Sequence, residues 1–270
     1  MVASLPSLLI TEPIPEKVIN FLEQHTNVTV GEKGYYSIEK HLKQDIGNFD
    51  ALLCMLSTPV TENVLSVATD LKIVANFAVG YNNIDVKAAH KIGLKIANTP
   101  DVLTEACGDF AMALLMAVTR QFNVAESYLR AGKFKGWEPL GFLGMELRGK
   151  TLGIVGMGRI GLALAERAQA FGMKIAYHNR RKISDDTAQK VDALYISSLE
   201  ELAAISDVLS LNCPLTPETH HLIDAPIFEL MPKHSILINI SRGPVVNEKA
   251  LAKALQDHQI AGAGIDVFEE

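Results

Sequence analysis

Three glycines with a regular spacing are the first residues whose pattern suggests chemistry. The segment GMGRIG places Gly156, Gly158 and Gly161 directly after the apolar run LGIV and before the amphipathic run IGLALAERAQAFG. This context predicts a strand, a tight turn and a helix whose free amides face an anion, which is the phosphate-binding arrangement of a dinucleotide site. Arg159 could add a phosphate contact, and Ile160 belongs to the same turn. The alternative is a tight turn with a structural role only.

The next predicted strand ends in a basic tip that bears on which dinucleotide binds. In KIAYHNRRK the strand is followed by Asn179, Arg180 and Arg181. An NAD site usually has an acid at this point for the ribose hydroxyls, whereas an arginine accommodates the 2′-phosphate of NADP. Because the tip has no carboxylate, we expect NADP to be preferred and NAD to be possible. The alternative is a solvated basic turn.

A third candidate is Arg242 in LINISRGPVVNE, directly after a run that predicts a buried strand. A guanidinium carries five donors in a fixed fork and stays charged, so it can grip a carboxylate or a carbonyl. Arg242 is therefore either a substrate clamp or a residue that satisfies loop carbonyls and a surface acid.

Alternating strands and helices must position these residues. The predicted strands of the first hundred residues are SLLIT, VTV, ALLCML, KIVANFAV and LKIAN, with helical patterns between them. The run NTPDVLTEACGDFAMALLMAVTR then predicts one long helix, with Asp101 or Thr104 as its cap. After a glycine-containing linker, further strands are predicted at KTLGIV, KIAYH, DALYI, DVLSLN, SILINI and IAGAGIDVF. This alternation predicts parallel βαβ units.

The two series indicate two α/β domains, residues 1–99 and 100–270, without a sequence duplication. The chain of 270 residues is long enough for two cores. Its composition, with 48% hydrophobic and 21% charged residues, is that of a globular protein. The net charge of −6 argues against a general nucleic-acid or membrane-surface role, and no apolar run is long enough to span a membrane.

Cysteine and histidine usage excludes two further classes. The three cysteines are widely spaced in apolar contexts and the N-terminus has no signal-peptide pattern, so we expect a cytoplasmic protein with reduced thiols. The eight histidines show no metal-ligand spacing. His220 and His221 are adjacent, which should direct them to opposite faces, and we expect no metal site.

Several longer segments resemble one family: NFAVGYNNIDVKAAHKIGLKIANTPDVLTEACGDFAMALL, LRGKTLGIVGMGRIG, LNCPLTPETHHLI, INISRGPVVNEKAL and GAGIDVFEE. Over essentially its whole length the chain resembles the D-isomer-specific 2-hydroxyacid dehydrogenases, most closely the glyoxylate and hydroxypyruvate reductase branch. The resemblance implies two doubly wound α/β domains, a flavodoxin-like substrate domain and an inserted Rossmann-type coenzyme domain with the active site between them. It also implies a homodimer that reduces a small 2-keto acid to the D-2-hydroxy acid with NAD(P)H.

The same resemblance implies roles for residues that bind the substrate. Arg242 matches the arginine that binds the substrate carboxylate and polarises the keto oxygen, and a bidentate fork suits both tasks. The backbone amides of Val79 and Gly80 match the carboxylate-binding loop, with Leu56 and Ser57 on the neighbouring loop.

Other positions match the coenzyme site and the dimer. Thr104, Cys213 and Pro214 match coenzyme-lining positions, and Asp266 matches the acid that positions the nicotinamide carboxamide. Trp137, in GWEP, resembles a residue that reaches the partner subunit's substrate pocket. The alternative for Trp137 is a linker aromatic packed on a core edge.

The resemblance further implies a proton donor, a histidine held by a glutamate, because the alkoxide formed by hydride transfer must be protonated. The glutamate would fall one position past Glu270, none of the histidines has the expected setting, and Glu269 and Glu270 have the wrong offsets. We therefore expect either a shortened form of an ordinary reductase or a non-catalytic NADP-binding sensor. A third alternative keeps the enzyme class but changes the substrate to phosphite or formate.

Overall fold

The computed structural model describes residues 5–269; Glu270, considered above as a candidate acid, lies outside them. The chain divides after Val102 into two compact units. No helix within 5–269 is both long and apolar enough to cross a bilayer.

The first unit is a parallel sheet with its helices in the connections. Its elements are β1 (Ser7–Ile10), α1 (Glu16–Glu23), β2 (Asn27–Val30), α2 (Glu39–Asp45), β3 (Ala51–Cys54), α3 (Glu62–Leu65), β4 (Ile73–Asn76), α4 (Val86–Lys91) and β5 (Lys95–Ala97). The strand order β2-β1-β3-β4-β5 is the flavodoxin-like order. The chain therefore changes direction across the sheet between β1 and β3, and the loops after these strands lie at the same edge.

The second unit is a larger parallel sheet. Its elements are α5 (Thr104–Thr119), α6 (Phe122–Arg130), β6 (Thr151–Val155), α7 (Arg159–Ala170), β7 (Lys174–His178), α8 (Asp185–Lys190), β8 (Ala193–Tyr195), α9 (Leu199–Ile205), β9 (Val208–Leu211), α10 (Ala225–Leu230), β10 (Ile236–Asn239), α11 (Glu248–Gln256) and β11 (Gly262–Ile265). The order β11-β10-β9-β6-β7-β8 is the Rossmann order. The predicted class of two doubly wound α/β folds is confirmed.

Burial on both faces of the sheet explains why the central strands of the second unit read as continuous apolar runs. All four residues of β9 and all four of β10 are buried, as is usual where helices cover both sides of a parallel sheet. One apolar cluster lies on each face, one containing Phe228 and Leu237 and the other Leu164 and Ile238. Each buried Leu or Ile stabilises the fold by roughly 1.5–3 kcal/mol.

The start of the long helix differs from the prediction. Neither Asp101 nor Thr104 caps it, because Leu103 holds the cap position and Thr104 is already the first helical residue. Asp101 has a φ of 70°, in the left-handed region, and belongs to the turn before the helix. A cap must directly precede the first helical residue, and Asp101 is two positions too early.

Packing against α7 holds the first half of α5 in place. Arg167 on α7 forms ion pairs with Glu105 and Asp109 on α5, at 2.9 and 2.6 Å. At Gly108 a side chain would lie 2.9 Å from the Cβ of Ala163, so the two helices meet at very short range. This contact secures α7, which begins directly after Gly158 and contains Gly161 in its first turn.

Candidate dinucleotide and substrate site

The glycine pattern borders a cavity of about 670 Å³ at the carboxyl ends of β6, β7 and β9. This is the position where the chain passes to opposite sides of the sheet, and doubly wound folds bind ligands at such a point. The lining residues are Val155, Gly156, Met157, Gly158, His178, Asn179, Arg180, Arg181, Asn212, Cys213, Pro214, Thr216, Thr219 and Leu222.

Two of the three glycines pack closely against other backbone atoms, and the third borders empty space. Gly156 has a φ of 94°, and a side chain there would lie 2.6 Å from the backbone nitrogen of Cys213. A side chain at Gly161 would lie 2.7 Å from the carbonyl oxygen of Gly156. A side chain at Gly158 would meet nothing within 4 Å. Folding therefore requires glycine at the first and third positions, whereas at the second position glycine leaves space beside the cavity.

Asn179 holds the glycine loop. Its side-chain oxygen accepts a 2.6 Å hydrogen bond from the amide of Met157, and its own carbonyl accepts one from the Tyr195 hydroxyl at 3.3 Å. The next residues, Arg180 and Arg181, are exposed and line the cavity. The basic tip thus has two roles. The side-chain amide of Asn179 positions the glycine loop, and the guanidinium groups of Arg180 and Arg181 line the cavity.

The cavity wall at the end of β9, beside the glycine loop, contains a residue that the sequence did not single out. The side-chain oxygen of Asn212 is buried and, among the described residues, accepts no hydrogen bond, while its amide donates to the Ser210 hydroxyl at 3.1 Å. A buried oxygen at a cavity wall that has no protein donor can accept a hydrogen bond from a bound ligand. The signal was present in LNCP, which places Asn212 at the end of a buried strand beside the predicted Cys213.

Arg242 lies just past β10, in a turn fixed by one side chain. The Asn239 side chain accepts from the Ser241 amide and hydroxyl at 3.0 and 2.8 Å and donates to the Arg242 carbonyl at 3.0 Å. Arg242 itself donates to the Ser241 carbonyl at 2.6 Å. Gly243 follows, where any side chain would overlap the backbone of Phe268.

Arg242 interacts electrostatically with residues of two other elements of the second unit. Burial lowers the pKa of the Arg242 guanidinium, and the Cys107 thiol acts in the opposite direction. Burial raises the pKa of Cys107, Asp266 raises it further and Arg242 lowers it. The first helical turns of α5, the end of β11 and the turn after β10 therefore converge. Thr104 lies on the face of α5 that Cys107 shares, three residues earlier.

In the first unit, two asparagines join the loops that follow β3 and β4. Asn83 donates to the carbonyls of Met55 and Thr58, both at 3.0 Å. Asn76, buried at the end of β4, donates to the Gly80 carbonyl at 2.6 Å. The loops that carry Leu56, Ser57, Val79 and Gly80 are thus fixed by a shared polar network.

Two further predicted residues are exposed. Ser57 donates to Glu12 at 3.0 Å. Trp137 is 84% exposed, so the alternative that it packs on a core edge is wrong.

Comparison with known proteins identifies the family. Residues 112–270 match the family described as D-isomer specific 2-hydroxyacid dehydrogenase, NAD binding domain. A glyoxylate reductase from Thermococcus onnurineus is 45% identical over 269 residues, which are 98% of this chain and 80% of that protein. The chain belongs to the D-isomer-specific 2-hydroxyacid dehydrogenase family. It is an NAD(P)-dependent dehydrogenase, as the sequence predicted.

Solved structures of similar dehydrogenases cover nearly all of this chain. An NADPH-dependent glyoxylate/hydroxypyruvate reductase from Sinorhizobium meliloti, in complex with NADP and malonate, has a TM-score of 0.87 and 35% identity, over 99% of this chain and 81% of that one. A D-lactate dehydrogenase from Aquifex aeolicus, in complex with NAD and lactic acid, has a TM-score of 0.87 and 29% identity, over 98% and 77%. The cavity of the second unit fits a nicotinamide dinucleotide, because it combines the open glycine, the basic tip and the open acceptor of Asn212.

A pair of glycine variants tests the division between packing and ligand space. We expect Gly158→Ala to leave the free energy of unfolding within about 1 kcal/mol of the parent and to weaken coenzyme binding at least about tenfold, which is about 1.4 kcal/mol. Gly156→Ala should instead destabilise the fold, because it introduces a clash at positive φ. Urea unfolding and fluorescence titration with NADPH measure the two effects. Undiminished coenzyme affinity in Gly158→Ala would place the dinucleotide elsewhere.

A second variant tests the network under the loops of the first unit. Asn83→Ala should cost about 1–3 kcal/mol, because it leaves the partly buried Met55 and Thr58 carbonyls without their donor. It should also speed amide hydrogen exchange in residues 55–58. Asn63→Ala, at an exposed position on α3, is the matched control. Equal exchange rates in the two variants would show that Asn83 does not hold this loop.

Proposed function

We propose that this chain reduces glyoxylate or hydroxypyruvate to the 2-hydroxy acid, of D configuration where the product is chiral, with NADPH as the preferred donor. The observation that carries the proposal is the position of Arg242, a partly buried guanidinium in a fixed turn near Asp266. The similarity to proteins named glyoxylate reductase supports the substrate class.

In this proposal Arg242 binds the carboxylate of the keto acid through its planar fork. The same charge stabilises the negative charge that grows on the keto oxygen as hydride reaches the neighbouring carbon. The Asn239 turn holds the backbone of Arg242, so little reorganisation is needed when the substrate binds. The bound nicotinamide would supply the hydride, and water would supply the proton that the resulting alkoxide takes up, because none of the described residues is assigned as the acid. Lysine, a point charge, would orient a carboxylate less well.

The first unit contributes the substrate-binding loops in this proposal. Val79 and Gly80 offer backbone donors to the carboxylate, and Leu56 and Ser57 contact the rest of the small acid. Asn76 and Asn83 are positioning residues, because they act through the loop backbones. Residues 1–99 are then the substrate domain and 100–270 the coenzyme domain.

The second unit holds the coenzyme. Amides of the turn that includes Gly158, Arg159 and Ile160 face the pyrophosphate, and Arg180 and Arg181 face the 2′-phosphate. Cys213 and Pro214 line the pocket; burial raises the pKa of Cys213 to about 11, so this thiol contributes as a small neutral surface. Thr104 lines the nicotinamide end, and Asp266 accepts from the carboxamide.

We also propose that the protein is a cytoplasmic homodimer. In the described segment from the start of α6 to residue 143, eight large apolar side chains are exposed: Phe122, Val124, Leu129, Phe134, Trp137, Leu140, Phe142 and Leu143. An exposed apolar surface of this kind usually marks a protein contact. Trp137 would then belong to the substrate pocket of the partner subunit.

Replacing Arg242 tests the catalytic role. Arg242→Ala should lower kcat/KM for glyoxylate by about 10²–10³-fold or more, because it removes the charge that stabilises the transition state. NADPH affinity should change little. Arg242→Lys should recover only part of the loss, and Arg148→Ala, at an exposed arginine, is the control. Turnover that persists in Arg242→Ala would remove this residue from the mechanism. Coenzyme binding without any turnover in the unaltered protein would instead favour the non-catalytic NADP-binding alternative.

The basic tip is tested by coenzyme competition. Arg180→Ala/Arg181→Ala should reduce the preference for NADPH over NADH by at most about 10- to 150-fold, which corresponds to one charge-assisted hydrogen bond. Lys182→Ala is the matched control, because Lys182 pairs with Asp185 at 2.6 Å and does not line the cavity. The kcat/KM values for both coenzymes give the ratio. A preference that survives the double substitution contradicts this assignment.

A further inference from the structure

Three side chains outside the proposed catalytic site form a compact group of possible metal ligands. They are His220, His221 and Glu269. The His221 Nε2 lies 3.1 and 3.0 Å from Oε1 and Oε2 of Glu269, and the His220 Nε2 lies 3.6 Å from Oε1. The centroids of the two imidazole rings are 4.0 Å apart.

The backbone explains why adjacent histidines converge. The expectation that His220 and His221 face apart is wrong, because His221 has a φ of 50°, in the left-handed region. This conformation is unfavourable for a residue with a side chain and persists only where the surroundings impose it. Here the His221 amide donates to the Pro244 carbonyl at 2.8 Å, which fixes the turn to the segment after Arg242.

The third ligand is held independently of the histidines. The Glu269 amide donates to the Glu248 carboxylate at 2.6 Å, at the start of α11. The absence of a side chain at Gly243 lets residues 268 and 269 pass directly over that turn. The three side chains therefore belong to segments that are fixed to one another within the second unit.

The distances match those of a metal site. Zinc binds imidazole nitrogen and carboxylate oxygen at about 2.0–2.2 Å with tetrahedral geometry, so neighbouring ligand atoms lie about 3.3–3.5 Å apart. The two pairs at 3.0 and 3.6 Å bracket this spacing. All three side chains are partly exposed, which leaves access for the ion and room for a water as fourth ligand.

We propose that His220, His221 and Glu269 bind one divalent transition metal ion, with zinc as the best match. Two imidazoles favour zinc, nickel, cobalt or copper over magnesium and calcium, which prefer oxygen ligands. Thr219, directly before the histidines, lines the coenzyme cavity, so the bound ion lies next to the wall of the dinucleotide site. The proposal assigns the ion no role in the proposed hydride transfer.

The test is zinc binding by the purified, chelator-treated protein, followed by calorimetry. We expect one zinc ion per chain and no competition from excess magnesium. His221→Asn keeps a side chain that tolerates positive φ and should weaken binding at least about tenfold, comparable with the lower end of losses that follow changes around a metal site. His234→Asn, at an exposed histidine bound to Asp207, is the control and should bind as the parent does.

Cobalt supplies an independent readout. Cobalt bound to two nitrogens and a carboxylate should give visible absorption bands without a thiolate charge-transfer band, and Glu269→Gln should weaken or shift them. Unchanged zinc affinity in His221→Asn and in His220→Asn would overturn the proposal, as would a thiolate band, which would assign the ion to a cysteine. Circular dichroism of each variant verifies that the fold is intact. NADPH affinity, measured in parallel, separates this result from that of the proposed reductase.

Discussion

The close backbone contact between Gly156 and Cys213 is the constraint on which the second unit depends. A side chain at position 156 would lie 2.6 Å from the Cys213 nitrogen and 2.8 Å from the Asn212 carbonyl carbon. The loops that follow β6 and β9 can therefore lie side by side only with glycine at this position. The gap between the diverging loops is the dinucleotide cavity. Gly161, equally confined, lets α7 begin directly over that gap and directs its first amides into it.

Asparagine side chains hold the other functional loops through hydrogen bonds to their backbones. Asn179 holds the glycine loop, Asn239 holds the turn of Arg242, and Asn83 with Asn76 holds the two loops of the first unit. Each of these amides satisfies backbone groups that irregular chain leaves unpaired, which is required wherever a loop is partly buried. Rigid loops at the ends of rigid strands keep the donors in place before a ligand arrives, and this preorganisation reduces the cost of binding.

The histidine pair shows how one backbone angle changes the chemistry of a segment. In extended chain, consecutive side chains point to opposite sides, and His220 and His221 could not share a ligand. With His221 in the left-handed region, both rings meet Glu269 instead. The hydrogen bond from His221 to Pro244 is a long-range contact, so no local pattern in THHLI could have revealed the convergence.

The sequence by itself determined the alternation of strands and helices, the two doubly wound sheets, the family and the glycine loop, because each depends on local periodicity or on a short motif with one physical meaning. It also placed Cys213, Pro214, Arg180 and Arg181 at the ends of strands, where parallel sheets gather functional residues. Only the tertiary structure decided that Leu103, and not Asp101, occupies the cap position of α5. It also decided that the Asn179 side chain binds the glycine loop and that the Asn212 side-chain oxygen has no donor among the described residues. The convergence of His220 and His221 on Glu269 was likewise decided only there. These outcomes depend on contacts between segments far apart in the chain, and on backbone angles set by those contacts, which neither propensity nor spacing encodes.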